Sequence, residues 1–117
     1  MKLSVLAEKL GLENLTPGLE TELEAEVAHG YASDLLSDVL ANASSGAVLV
    51  TIQAHLNTIA VALHANLLAV ILAGGHRPEP EVTDRANDEH IPLFVTNQST
   101  FDLAGCMYEL GVRGGNP

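Results

Sequence analysis

The sequence predicts a three-layer α/β domain built on an open, largely parallel sheet of about four to five strands. Three observations carry this expectation. Ala47 to Ile52 and Leu68 to Ala73 are near-continuous runs of Val, Leu, Ile and Ala, the composition of strands covered on both faces. The segment between them has helical period, as the crossover between parallel strands requires. Gly74-Gly75 and Pro78 then close what reads as a βαβ unit.

The rest of the chain fits around that unit in the order α, short β, β, α, β, α, β, α, β, α. Leu3, Leu6 and Leu10 fall on one helical face, and Gly11 is a suitable stop. A link with Asn14, Pro17 and Gly18 follows. From Leu19 to Val27 apolar positions alternate with Glu20, Glu22, Glu24 and Glu26, which predicts a strand with one wet face. A row of like charges there suits an outer strand better than a cation site, because the carboxylates spread instead of converging. His29, Gly30 and Tyr31 read as the turn into a helix capped by Ser33 or a neighbour, with Leu35, Leu36, Val39 and Leu40 inward.

The central helix starts near His55 and is expected to bury Leu56, Ile59, Ala60 and Leu63, with Asn66 in the turn that leaves it. Pro80 fits the first turn of a helix running to about Glu89, with Glu79 and Glu81 at its positive end. Ile91 to Thr96 is the last strand. Ser99 with Asp102 three residues on resembles a capping box, opening a helix through Leu110 that Gly111 closes. Arg113 to Pro117 reads as a tail.

Composition narrows the function. The 117 residues suit one domain, 1–117, with one ordinary core and no separate catalytic lobe. A net charge of −10 and 3% aromatic content speak against nucleic acid and anionic membranes as partners. Cys106 stands alone, so an intramolecular disulfide and a cysteine metal cluster are both excluded. No run has membrane-spanning length and no leader pattern opens the chain, so a soluble, cytoplasmic protein is expected. His29, His55, His64, His76 and His90 are scattered without an i, i+4 pair, and no metal or other cofactor is expected. A GxSxG nucleophile elbow and a GxxxxGK[ST] phosphate loop are both missing, and the protein reads as a non-enzyme.

The tract ILAGGHRPEPEVTDRANDEHIPLFVTNQSTFDLAG couples an apolar strand ending in Gly-Gly, a Pro, an Ile-Pro strand and a Thr-Phe helix start. It resembles the DRTGG domain family, similar in fold to the N-terminal domain of bifunctional HPr kinase/phosphorylase. GYASDLLSDVL and TIQAHLNTIAVAL resemble its short stand-alone members. Where the naming motif begins Asp-Arg-Thr this chain has Gln53-Ala54-His55, and its Thr-Gly-Gly is Ala73-Gly74-Gly75. The resemblance implies a regulatory or dimerising module, and for the short members an accessory role in anaerobic redox systems such as iron hydrogenases.

Polar residues gather where strand ends should meet helix starts, the edge at which open α/β sheets bind ligands. The candidate ligand residues are Gly30, Ser33, Asp34, Thr51, Gln53, His55, Asn57, Gly74, Gly75 and Arg77. Glycines permit close backbone approach, and Arg77 supplies a cation for a small anionic metabolite or nucleotide. The competing explanation is ordinary turn chemistry. Two functions follow: a non-catalytic regulatory module that binds such a ligand and acts through a homodimer or partner protein, or a ligand-free dimerisation or adaptor domain. An exposed apolar patch around Phe101, Leu103 and Tyr108 would favour the second.

Overall fold

Thr51 and Leu72 end two strands whose every residue is buried, β3 (Val48–Thr51) and β4 (Ala69–Leu72), and these form the centre of the sheet. The computed structural model describes residues 1–115. Among them the other strands are β1 (Glu13–Asn14), β2 (Gly30–Ala32) and β5 (Leu93–Val95), giving the order β1-β5-β4-β3-β2. Strands β2 to β5 run parallel and β1 pairs antiparallel with β5, so the expected open, largely parallel sheet is present.

Side chains alternate between two cores, as the pleat demands. Val48, Val50, Ala69, Ile71 and Phe94 point to one face, where α1 (Leu3–Leu10) and α5 (Thr100–Glu109) cover them with Leu3, Leu6, Leu103 and Met107. Leu49, Val70, Leu72, Leu93 and Val95 point to the other, under α2 (Leu36–Asn42), α3 (Leu56–His64) and α4 (Pro80–Asp88). The helices that follow β2, β3 and β4 thus share one layer, while the helix that follows β5 lies in the opposite one.

Four expectations need correction. The strand expected over Leu19–Val27 is a turn with a 3-10 helix at Glu22–Glu24, and only Leu19 and Val27 of its alternating apolar positions are buried. Four glutamates along one strand face would repel each other, and glutamate is a weak strand former. Turning the chain separates them: Glu24 meets Lys2 at 2.6 Å, Glu26 the N-terminal amine at 3.1 Å and Glu22 His90 at 3.2 Å. Second, Gly30-Tyr31, expected as a turn, opens edge strand β2. Third, Leu35, Leu40, Leu56 and Leu63 are exposed, and Thr58 and Ala62 pack inward beside Ile59 on α3. Both helices are short, and small residues bring α3 close to the sheet. Fourth, Arg113 is no tail: it bridges His29, accepts from Gly30 N–H, and stacks 3.7 Å over the Tyr108 ring. Residues 116–117 of that expected tail lie outside the described residues.

Candidate functional site

The loops at the carboxyl ends of β2 to β5 hold most of the candidate residues, but the fold divides them into separate groups. Ser33, Asp34, Thr51 and Gln53 form one. Asp34 Oδ1 accepts from Thr51 Oγ1 at 3.0 Å and from Ile52 N at 2.9 Å, and Gln53 Nε2 donates to the Asp34 carbonyl at 3.1 Å. Ser33 Oγ accepts from Leu35 N at 3.2 Å, and Thr58 Oγ1 ties the Gln53 carbonyl at 2.6 Å. These polar atoms satisfy one another and the backbone, so the group works as the joint between β2 and β3.

His55 and Asn57 lie apart from that joint, in a cleft of about 280 Å³ between the start of α3 and the start of α4. Glu79 and Glu81 share its wall, and two carboxylates oppose an anionic guest. Gly30 is farther still. It pairs with Val48 at the amino end of the sheet and borders an apolar pocket of about 150 Å³ against Met107 and Tyr108 of α5. A turn read at the wrong end of β2 is what had grouped Gly30 with the others.

Gly74, Gly75 and Arg77 make the third group, with residues after β5. Gly74 N–H donates to the Gln98 carbonyl at 2.7 Å and Gly75 N–H to the Thr96 carbonyl at 2.9 Å, which knits the two loops together. Both glycines have positive φ, +70° and +74°, and a Cβ on Gly75 would come within 3.1 Å of Asn97 Oδ1. Only glycine adopts that backbone without strain. The β4 loop leads to α4 on one face and the β5 loop to α5 on the other, so the crevice where open α/β sheets take ligands falls here.

A polar cleft of about 440 Å³ opens beside these loops, lined by Leu10, Gly11, Glu13, Arg77, Val95, Thr96, Asn97 and Gln98. Arg77 is the one cation of that lining. Its guanidinium makes a two-pronged bond to Glu13, Nη1 to Oε1 at 2.9 Å and Nη2 to Oε2 at 2.7 Å. Arg77 holds the Glu13 carboxyl below the usual carboxylate range, and Glu13 raises the guanidinium in return. Gln98 Oε1 is buried without a hydrogen-bond partner, an acceptor that a donor group or an ordered water would satisfy. Glu13, Asn97 and Gln98 were not among the expected ligand residues. Asn97 and Gln98 follow an apolar strand at the same sheet edge as Thr51 and Gln53 and carry the same local signal, whereas nothing local singles out Glu13.

Among the described residues, no group of three His, Cys, Asp or Glu side chains could hold a metal, and no helix is long and apolar enough to cross a membrane. Cys106 is half-buried, with Gln98 Nε2 at 3.9 Å from its sulfur.

The fold has a solved counterpart. It is the crystal structure of the CBS and DRTGG domains of the regulatory region of Clostridium perfringens pyrophosphatase, complexed with its activator, diadenosine tetraphosphate. The likeness has a TM-score of 0.70 at 17% identity and covers 89% of this chain but 44% of that one, so the present chain spans less than half of its neighbour. No curated protein matches the sequence. The model of the DRTGG domain matches residues 31–110, and the chain belongs to the DRTGG domain family.

Proposed function

We propose that the protein is a non-catalytic regulatory module that binds a small anionic metabolite or nucleotide in the cleft beside β4 and β5. The observation that carries this reading is the placement of Arg77 in a polar cleft of about 440 Å³ at the crevice between two knitted strand-end loops. A guanidinium there can grip a phosphoryl group through two parallel hydrogen bonds. Thr96, Asn97 and Gln98 offer polar partners for the rest of a ligand. The neighbouring fold comes from a regulatory region that was solved with a nucleotide activator, which agrees with this class of ligand. Of the candidate residues, Arg77 would meet the ligand directly, Gly74 and Gly75 would hold the β4 and β5 loops together beside it, and the Asp34–Thr51 joint would hold the adjoining strands.

Phe101 is 85% exposed and Tyr108 59%, about two turns apart along α5, while Leu103 is buried. This favours, as the second reading, a homodimer or partner-protein contact through α5, with or without a ligand. The accessory role in an anaerobic redox system implied by the family's short members would use such a contact.

A thermal-shift titration with ATP, diadenosine tetraphosphate and inorganic pyrophosphate tests the first reading. A ligand selective for the native state raises the melting temperature, and Arg77→Gln should remove that rise while leaving the unliganded value nearly unchanged. A flat response from wild type, with a concentration-dependent dimer in sedimentation, would leave the contact surface as the function.

A further inference from the structure

The ligand-facing side of Arg77 is already occupied. Both prongs of its guanidinium are held by Glu13, at 2.9 and 2.7 Å, in the fork geometry that arginine also uses for phosphate. Glu13 belongs to β1, a strand of two residues at the sheet edge, paired with Val95 of β5 and remote in sequence from Arg77. The two side chains are 58% and 55% exposed, so an incoming group can reach the pair without opening either core. Asn97, also exposed, stands on the same cleft.

We propose that Glu13 is a built-in competitor for Arg77: binding of a phosphoryl group displaces the Glu13 carboxylate from the guanidinium and frees the β1 corner. This rests on the reading of the β4–β5 cleft as the ligand site and adds to it a specificity determinant and an output. The exchange is favourable for a dianion and poor for a monoanion. A carboxylate brings one negative charge to Arg77, and an exposed ion pair in water is worth little. A phosphoryl group brings about two charges and a third acceptor oxygen, which Asn97 can meet. Singly charged groups would gain nothing over the residue they replace, so the ligand class narrows to phosphate monoesters and polyphosphates with a terminal phosphoryl group. The displaced carboxylate then loses its two-pronged bond to Arg77, and Glu13 with the turn from Gly11 to Leu15 becomes the part of the surface that differs between the free and bound states.

The experiment measures pyrophosphate and ATP binding by calorimetry for wild type, Glu13→Gln, Arg77→Gln and Glu109→Gln. The last removes the same charge from an exposed site on α5 and controls for overall electrostatics. Glu13→Gln should bind roughly fivefold more tightly than wild type, Glu109→Gln should match wild type, and Arg77→Gln should not bind. In parallel, the Glu13 carboxyl is titrated by NMR with and without saturating pyrophosphate. Its depressed pKa should return to the ordinary glutamate range on binding, a change that a merely structural ion pair would not make. Equal affinities of wild type and Glu13→Gln, or a Glu13 pKa that stays depressed in the complex, overturn the competitor and leave the cleft reading standing. No binding by wild type, or undiminished binding by Arg77→Gln, overturns both.

Discussion

Tyr31 and Asp38 couple the edge strand β2 to helix α2 through one bond, Tyr31 Oη donating to Asp38 Oδ2 at 2.8 Å. Hydrogen bonds from Asn42, Tyr31 and Ser33 hold the Asp38 carboxyl below its usual range, and the bond to Asp38 raises the Tyr31 phenol. A depressed carboxyl contributes stability above its unfolded pKa of about 4 and loses it as pH falls through the folded value. A raised phenol contributes below its unfolded pKa of about 10 and loses it as pH rises through the folded value. Tyr31→Phe should therefore lower the urea midpoint by a constant amount near neutrality, with the gap to wild type closing at both acid and alkaline extremes. A gap independent of pH would mean that the bond does not form in solution. At this scale the sequence is read unevenly. The turn at Gly74 and Gly75 is legible, because a Gly-Gly pair after an apolar run marks a positive-φ corner that other residues take only with strain. Glu13 is not, since 64 residues separate it from Arg77 and only the antiparallel pairing of β1 with β5 brings the two together.

Among the elements, α5 is the one whose start is written most clearly. Ser99 Oγ accepts from Asp102 N at 3.1 Å, as the capping pattern predicts, and Ser99→Ala should cost about 1 kcal/mol in denaturant unfolding. A loss below about 0.3 kcal/mol would show that the helix start is held by packing alone. Strands β3 and β4 were equally legible, because burial on both faces leaves an unbroken apolar run. The edge elements were not. Strand β2 is three residues of mixed exposure, too short to show any period, and the 19–27 stretch has a period that its repeated glutamates make misleading. Helices α2 and α3 were placed correctly but rotated. Val39 and Ile59 are buried as expected, but Leu35, Leu40, Leu56 and Leu63 are exposed, and Thr58 and Ala62 take inward places on α3.

For the molecule as a whole, the sheet divides its burial between two cores, and Phe94 is the largest side chain with no exposure, packed under α1 and α5. The other phenylalanine, Phe101, is exposed on α5, and the chain has no tryptophan. Phe94→Ala should cost about 3–5 kcal/mol, a large share of the 5–15 kcal/mol typical of a domain. Chemical denaturation would measure it, and a cost under about 1 kcal/mol would mean that the helices collapse onto the vacated space.

The strand order has a kinetic consequence. Gly30 meets Val48, Val48 meets Ala69 and Val70 meets Leu93, each pairing closing a loop of about twenty residues, whereas Glu13 must find Val95 across most of the chain. The four parallel strands can zip one after another as neighbours, and β1 docks onto a sheet already formed. The last element to arrive by so long a closure, held by two residues, is also the first that native fluctuations should release. Hydrogen exchange should find the Leu15 amide, bonded to the Leu93 carbonyl at 2.9 Å, opening well before the amides between β3 and β4.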